Sequence, residues 1–381
     1  MNFNKLKNAL DNRVHKYINE RIGFKTNKKI VVFESDDWGS IRMPSKEIYN
    51  QCLKAGYRVD LNLYERFDSL ASKDDLELLF NVLSQFKDSD NNTPILTANS
   101  LVSNPDFYRI EATNEYYRES IKKTFNEYPK HNNCLDLWHE GERHRVFKMQ
   151  YHGNEHIDTT HFINSIRRKD EDALFALKRR MPGIISKSTN KNNFVRATYF
   201  NNIEGKTTVL NNLINGLKHF EEINGYKSLS FIAPNYRWDP DYNEHLLKHG
   251  VYYFQGKVAQ LCPTINRSSE ETKIFHYTGE KNNIGQYYMV RNCDFEPTLN
   301  RYIDIDNVSS CLMQIKKSFS LKKPAIISSH RVNYVGFIEE KNRDTNLKLL
   351  EELLGKIIKL WPDVIFLSSE QLGNYISSIK N

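Results

Sequence analysis

One recurring unit constrains this chain more than any other feature: a short apolar, β-branched run that stops at polar residues able to do chemistry. In KKIVVFESDDWGS, Ile30 to Phe33 lead into Asp36 and Asp37. TPILTANS (93–100) repeats the scheme and carries Asn99, and FKMQYHGNEH (147–156) carries His152 and His156. SLSFIAPNY (228–236) ends at Tyr236, PAIISSHRVN (324–333) presents His330, and VIFLSSEQL (364–372) is a last apolar strand. Helical stretches lie between them. NEHLLKHG (243–250) ends at Gly250 as a helix C-terminus should and runs into the strand VYYFQG, while NLKLLEELLGKIIKLW (346–361) carries Leu and Ile on one stripe. Strands alternating with helices predict a parallel α/β sheet. In such folds, above all in barrels, chemistry gathers at the C-terminal ends of the strands. Separate strands would therefore bring these polar groups to one rim.

The chain has 381 residues, enough for one large domain with insertions or two smaller ones. No repeat or linker divides it. The reading is a single domain over 29–375, with insertions near 157–225, including the basic ISKSTNKNNF, and near the loop-rich 260–300. Ahead of it, Leu6, Leu10, Val14, Tyr17, Ile18 and Ile22 recur at helical steps and predict an amphipathic helix within 1–28. Its stripe is only weakly apolar, which favours packing against the domain over lying on a membrane.

The net charge of +7 favours an anionic partner such as a membrane surface or an acidic glycan. No basic run interleaved with aromatics points to nucleic acid. Aromatic residues make up 12%, which suits a core and also the walls of a sugar cleft. The five cysteines are scattered with no Cys-x-x-Cys, so neither a disulfide framework nor a cysteine-rich zinc site is expected. There is no apolar signal core and no 18-residue apolar run. The expected location is the cytoplasm, or its periphery at the inner membrane face.

Asp36 and Asp37 at a strand end repel each other unless a cation or a shared proton relieves them; a solvated turn is the plainer alternative. His152 and His156, four residues apart, can both reach one metal from a helix face or from a turn entering a helix. Twelve histidines make that spacing common by chance, and His245 and His249 repeat it mid-helix, where a surface pair is the simpler reading. The preceding strand and Gly153 favour His152 and His156. His330 is either a satisfied structural group or, near a metal, a proton-transfer group. Trp38 follows the Asp pair and Asn99 ends the next strand; a sugar ring can stack on the one while the other bonds its hydroxyls. The alternative for Trp38 is a lid on the core.

The order Asp-Asp, His-x-x-x-His, Pro–Tyr and strand-end His resembles the polysaccharide deacetylase superfamily (carbohydrate esterase family 4). FESDDWGS, QYHGNEH, APNY (233–236) and SSHR (328–331) are similar to its successive motifs, and TANSLVSNPDF (97–107) and RNCDFEP (291–297) to segments of a divergent bacterial branch. The resemblance implies a deformed (β/α)7 barrel. It also implies Asp36 as general base, His330 as general acid, and Asp37, His152 and His156 as ligands of one divalent metal, with Zn²⁺ favoured and Co²⁺, Ni²⁺ or Fe²⁺ alternatives. The backbone N–H of Tyr236 would help bind the oxyanion, and Arg331 and Asn333 would orient His330 or the substrate. Three departures stand out, one being a longer stretch between the first and second motifs than is usual for the family. Ala233 replaces the arginine that orients the base, a role open to Arg237, Arg331 or Arg291, and no Asp-x-x-Asp-Trp motif occurs. The expected function is removal of an acetyl group, N- rather than O-linked, from an amino sugar in a glycan or its precursor, lipid-linked or anionic. The alternatives are a non-catalytic glycan-binding or polysaccharide-assembly protein on the same barrel, and hydrolysis of another bond such as a phosphoester.

Overall fold

The computed structural model describes residues 20–189, 194–265 and 271–380, together with Val14 and Tyr17. The helix expected over 3–22 therefore lies mostly outside the described residues, as does part of ISKSTNKNNF. Nine strands form one parallel sheet: β1 (Lys29–Trp38), β2 (Leu96–Leu101), β3 (Phe147–Gly153), β4 (Ser230–Phe231), β5 (Tyr253–Gly256), β6 (Tyr287–Val290), β7 (Cys293–Asp294), β8 (Ala325–His330) and β9 (Val364–Phe366). The spatial order is β6-β5-β4-β3-β2-β1-β8-β7, with β9 beside the start of β1.

The two ends of that order are one stretch of chain. Residues 287–290 pair with β5, and 293–294 pair with β8. At the changeover the Arg291 N–H donates to Gly256 O (2.8 Å) and the Asn292 N–H to Ile326 O (3.0 Å), so neighbouring residues bond to opposite strands. The sheet thus closes into a seven-staved, deformed barrel, β6 and β7 forming one stave. This corrects the reading of 260–300 as an insertion, because its second half is barrel wall. Two strands of four and two residues give too short an apolar run to announce themselves. Likewise 157–225 is not all insertion: Ile203–Asn224 is a 22-residue helix, α1, on the crossover from β3 to β4. It buries Leu213, Leu217 and Phe220, and Gly216 lets it approach Tyr151, whose Oη lies 2.1 Å from where a Cβ would stand.

Alternation along each strand sorts the residues into layers. Val31 and Phe33 face outward and pack with Leu79, Trp138, Leu350 and other helix residues in the main core. Ile30 and Val32 face inward and meet Tyr253, Met289 and Ile326, with Leu372 and Ile376 of the last helix, α2 (Ser369–Lys380), plugging the barrel floor. Above this floor the interior turns polar: Glu34, Thr97, Gln150, Ser230 and Gln255 are all buried. The candidate site lies above that layer.

Trp38 belongs to the outer core. It is 1% exposed, its ring meets Phe147 edge-on at 4.9 Å, and its Nε1–H donates to Ser35 Oγ at 2.9 Å. The expected sugar-stacking role is thereby corrected, since the indole faces away from the rim. Trp38→Ala should cost about 3–5 kcal/mol of stability in urea unfolding; a loss below about 1 kcal/mol would contradict this packing.

Candidate active site

The end of β1 departs from regular strand geometry where the two carboxylates stand. Its pairing with β2 shifts register between Ser35 and Trp38, and Asp37 has φ 74°, in the left-handed region. Such a conformation costs on the order of 1–3 kcal/mol in a non-glycine residue. A regular strand would send Asp36 and Asp37 to opposite faces; the bulge turns both to the same cavity. That cavity measures about 480 Å³ and is lined by both aspartates, Arg42, Tyr64, His152, His156, Tyr236 and His330, among others.

Asp37 Oδ1 lies 3.4 Å from His152 Nε2 and 3.6 Å from His156 Nε2. The donor atoms of these three residues all fall within 4.8 Å of one another. His152 sits on β3 and His156 on the turn beyond it, so the four-residue spacing acts through a strand end and not through a helix face. Nδ1 of His152 contacts the Ile232 carbonyl at 2.9 Å, which fixes the ring with Nε2 toward Asp37. Burial drives the His156 ring down to about 3, so it is neutral. Its Nδ1 is buried with no protein partner. One carboxylate and two imidazoles whose donor atoms converge in this way fit a divalent cation. By contrast, His245 is exposed on a short helix and His249 Nδ1 contacts His245 O, so that pair is a surface feature.

Asp36 is held differently. Arg291 forks onto it, Nη2 to Oδ1 at 2.6 Å and Nη1 to Oδ2 at 2.7 Å, while its Nε donates to Glu34 Oε2 at 2.6 Å. Asn99 Nδ2 adds a bond to Asp36 Oδ1 at 2.8 Å. Burial alone would raise the Asp36 carboxyl, but Arg291 outweighs it and keeps the group well below the usual carboxylate range. For Glu34 burial wins and the carboxyl is raised. Of the three arginines weighed for the place of the missing motif arginine, Arg291 is the one that bonds Asp36. Arg237 pairs with Glu271, and Arg331 forks onto Asp68 at 3.0 and 2.8 Å.

His330 Nδ1 meets Glu296 Oε1 at 2.6 Å, and its Nε2 lies 3.8 Å from Asp36 Oδ2. Burial opposes the ring's charge, yet Glu296 and then Asp36 raise it to about 9, so His330 is an imidazolium at neutral pH.

Other expected substrate contacts are corrected by burial. Asn99, Arg331 and Asn333 are all 0% exposed. Asn99 spends its amide on Asp36 and Gln255, Arg331 on Asp68 and Ser40 O, and Asn333 on Glu296 at 2.8 Å. Each of the three is buried and bonds a neighbouring residue. The Tyr236 N–H, the expected oxyanion donor, is bonded to Ala233 O at 2.9 Å, although the residue does line the cavity. Glu296, Arg42 and Tyr64 were not foreseen. YYMVRNCDFE repeats the strand-then-polar pattern and would have flagged Glu296; Arg42 and Tyr64 lie in a stretch without periodicity.

No family model and no curated protein sequence matches the chain. Among solved structures it is similar to a protein from Mycobacterium smegmatis assigned as a polysaccharide deacetylase (9% identity, 94% of this chain and 94% of that one, TM-score 0.45). It is also similar to one from Parabacteroides distasonis assigned as a glycoside hydrolase/deacetylase (10% identity, 92% and 71%, TM-score 0.49). An allantoinase aligns as well (11% identity, 91% and 90%, TM-score 0.45). The fold assignment rests on the strand order and registers above, and the chemistry on the side chains.

Because the folded pKa of His330 exceeds the ordinary value of roughly 6.5, the ion pair stabilises the protein fully below that pH and is lost as pH rises through about 9. Glu296→Gln should lower the His330 pKa in an NMR titration and reduce stability at pH 6, the difference from wild type closing above the folded pKa. An unchanged His330 titration would contradict the pairing.

Proposed function

We propose that the protein is a metal-dependent hydrolase that removes an acetyl group, N-linked in preference to O-linked, from an amino sugar in a glycan or glycan precursor. One observation carries the reading. A single cavity holds a metal-fitting Asp–His–His cluster together with a carboxylate kept ionised by arginine and an imidazole kept protonated by glutamate. Such opposed environments are how a site holds a base and an acid ready at one pH.

Asp37, His152 and His156 would hold the ion, Zn²⁺ by the preference of imidazole donors, with Co²⁺, Ni²⁺ and Fe²⁺ able to use the same set. When bound, it would supply Lewis acidity toward the acyl oxygen. Asp36 receives the proton of the attacking water. Being strongly acidic, it does so only as the attack puts positive charge on the water oxygen. His330 gives its Nε2 proton to the nitrogen as the C–N bond breaks, because an amine is too basic to leave as an anion. Its Nε2 lies 3.8 Å from Asp36 Oδ2, close enough for the two charges to stabilise each other. The cavity is within the usual range for a small ligand and can admit a sugar ring. We place the reaction in the cytoplasm or at the inner membrane face. All five cysteines are free and buried, which suits a reducing compartment, and no described helix is long and apolar enough to cross a membrane.

Purified protein should carry about one divalent ion per chain and release acetate from N-acetylated amino sugars. A chelator should abolish turnover and Zn²⁺ restore it. The His152→Ala, His156→Ala double variant should lose the metal, while His245→Ala keeps it. Full turnover in chelated protein, or undiminished metal in the double variant, would contradict the proposal.

A further inference from the structure

The oxyanion of an acyl transfer needs donors besides any metal, and the Tyr236 N–H is already spent on Ala233 O. Arg42, which lines the cavity as Arg196 also does, is a cation in contact with the metal-fitting cluster. Its Nη2 reaches Asp37 Oδ2 at 3.4 Å, the oxygen turned away from the histidines. Its Nε stands 3.7 Å from Asp68 Oδ2, beyond hydrogen-bond reach, and is buried with no partner. Asp68 is already forked by Arg331. The Tyr64 ring, 5.6 Å from the guanidinium carbon, braces the group on another side.

If Arg42 only neutralised Asp37, a forked pair like that of Arg291 with Asp36 would be expected. Instead one long bond fixes the guanidinium, and the side chain remains 14% exposed to the cavity. A cation held by its surroundings with donors unspent is preorganised to meet negative charge.

Building on the deacetylase reading, we infer that Arg42 is a catalytic residue that donates to the acyl oxygen of the substrate as that oxygen becomes an oxyanion. The water oxygen bonds to the acyl carbon, the carbonyl π pair moves onto the acyl oxygen opposite Arg42, and a water proton passes to Asp36. The pair then returns, the C–N bond breaks and His330 protonates the nitrogen. Acetic acid and the free amine leave, Asp36 gives its proton to solvent water and His330 takes one from it, restoring both.

The test uses full-length, zinc-loaded protein, with acetate as a stable carboxylate probe in calorimetry alongside turnover. Arg42→Met should weaken acetate binding at least about tenfold and lower kcat by about 10²–10³. KM and zinc affinity should stay within about threefold of wild type. Arg42→Lys, which keeps the charge beside Asp37 and Asp68, should fold even if Arg42→Met does not, and should fall between the two. Acetate binding and kcat within about twofold of wild type in the variants that fold would overturn the inference. So would a loss of zinc affinity with turnover restored by added zinc, which would make Arg42 a positioning residue, and so would a wild type that binds no zinc. Should the wild type release no acetate from any amino sugar while its acetate binding still depends on Arg42, the substrate reading falls and the role of Arg42 stands.

Discussion

The Arg291 guanidinium, buried between Glu34 and Asp36, is the interaction on which the rest of the structure depends. It sits where the barrel closes, and its backbone N–H bonds to Gly256 across that seam. Two carboxylates from one strand face a low-dielectric interior, and one cation serves both through three short hydrogen bonds. Removing a partner from such a buried arrangement typically costs about 3–5 kcal/mol, because the remaining charge is left unpaired. The same contact divides labour between the two carboxyls. Glu34 is pushed up by burial, while Asp36 is held ionised at the rim. Barrel closure and the state of the candidate base are thus one event.

Around this pair the site repeats a single device, a charged group held by an opposite charge behind it. Arg331 backs Asp68, Glu296 backs His330, and Asn333 in turn backs Glu296. Asp37 differs. Its strained backbone turns it into the cavity, its contact with Arg42 is long, and its other oxygen points at the two imidazoles of His152 and His156. Backbone strain of this kind persists where the surrounding packing over-determines it, and here the buried Trp38 next in the chain supplies that packing.

The sequence made the barrel legible because each of the longer staves ends an apolar run with a polar residue, and Asp36, Asp37, His152, His156 and His330 do converge on one cavity. What it could not show was direction. Trp38 and Asn99 follow the same pattern, yet one turns into the outer core and the other is consumed within the polar layer, since a one-residue step reverses the face. The stave carrying Arg291 stayed hidden because its strands are too short to display a period. Arg42 stayed hidden because loops position residues through tertiary contacts that leave no local pattern, and Tyr64 because its helix, Leu63–Phe67, is too short to show a period.

The claim at the centre is that Asp37, His152 and His156 together bind one metal while Asp36 stays on Arg291. Anomalous diffraction at the zinc edge from zinc-loaded crystals tests it most directly. A single peak bounded by Asp37, His152 and His156, with the Asp36–Arg291 fork intact, is the predicted result. A peak ligated by Asp36 in place of Asp37, or density only at His245 and His249, would contradict it.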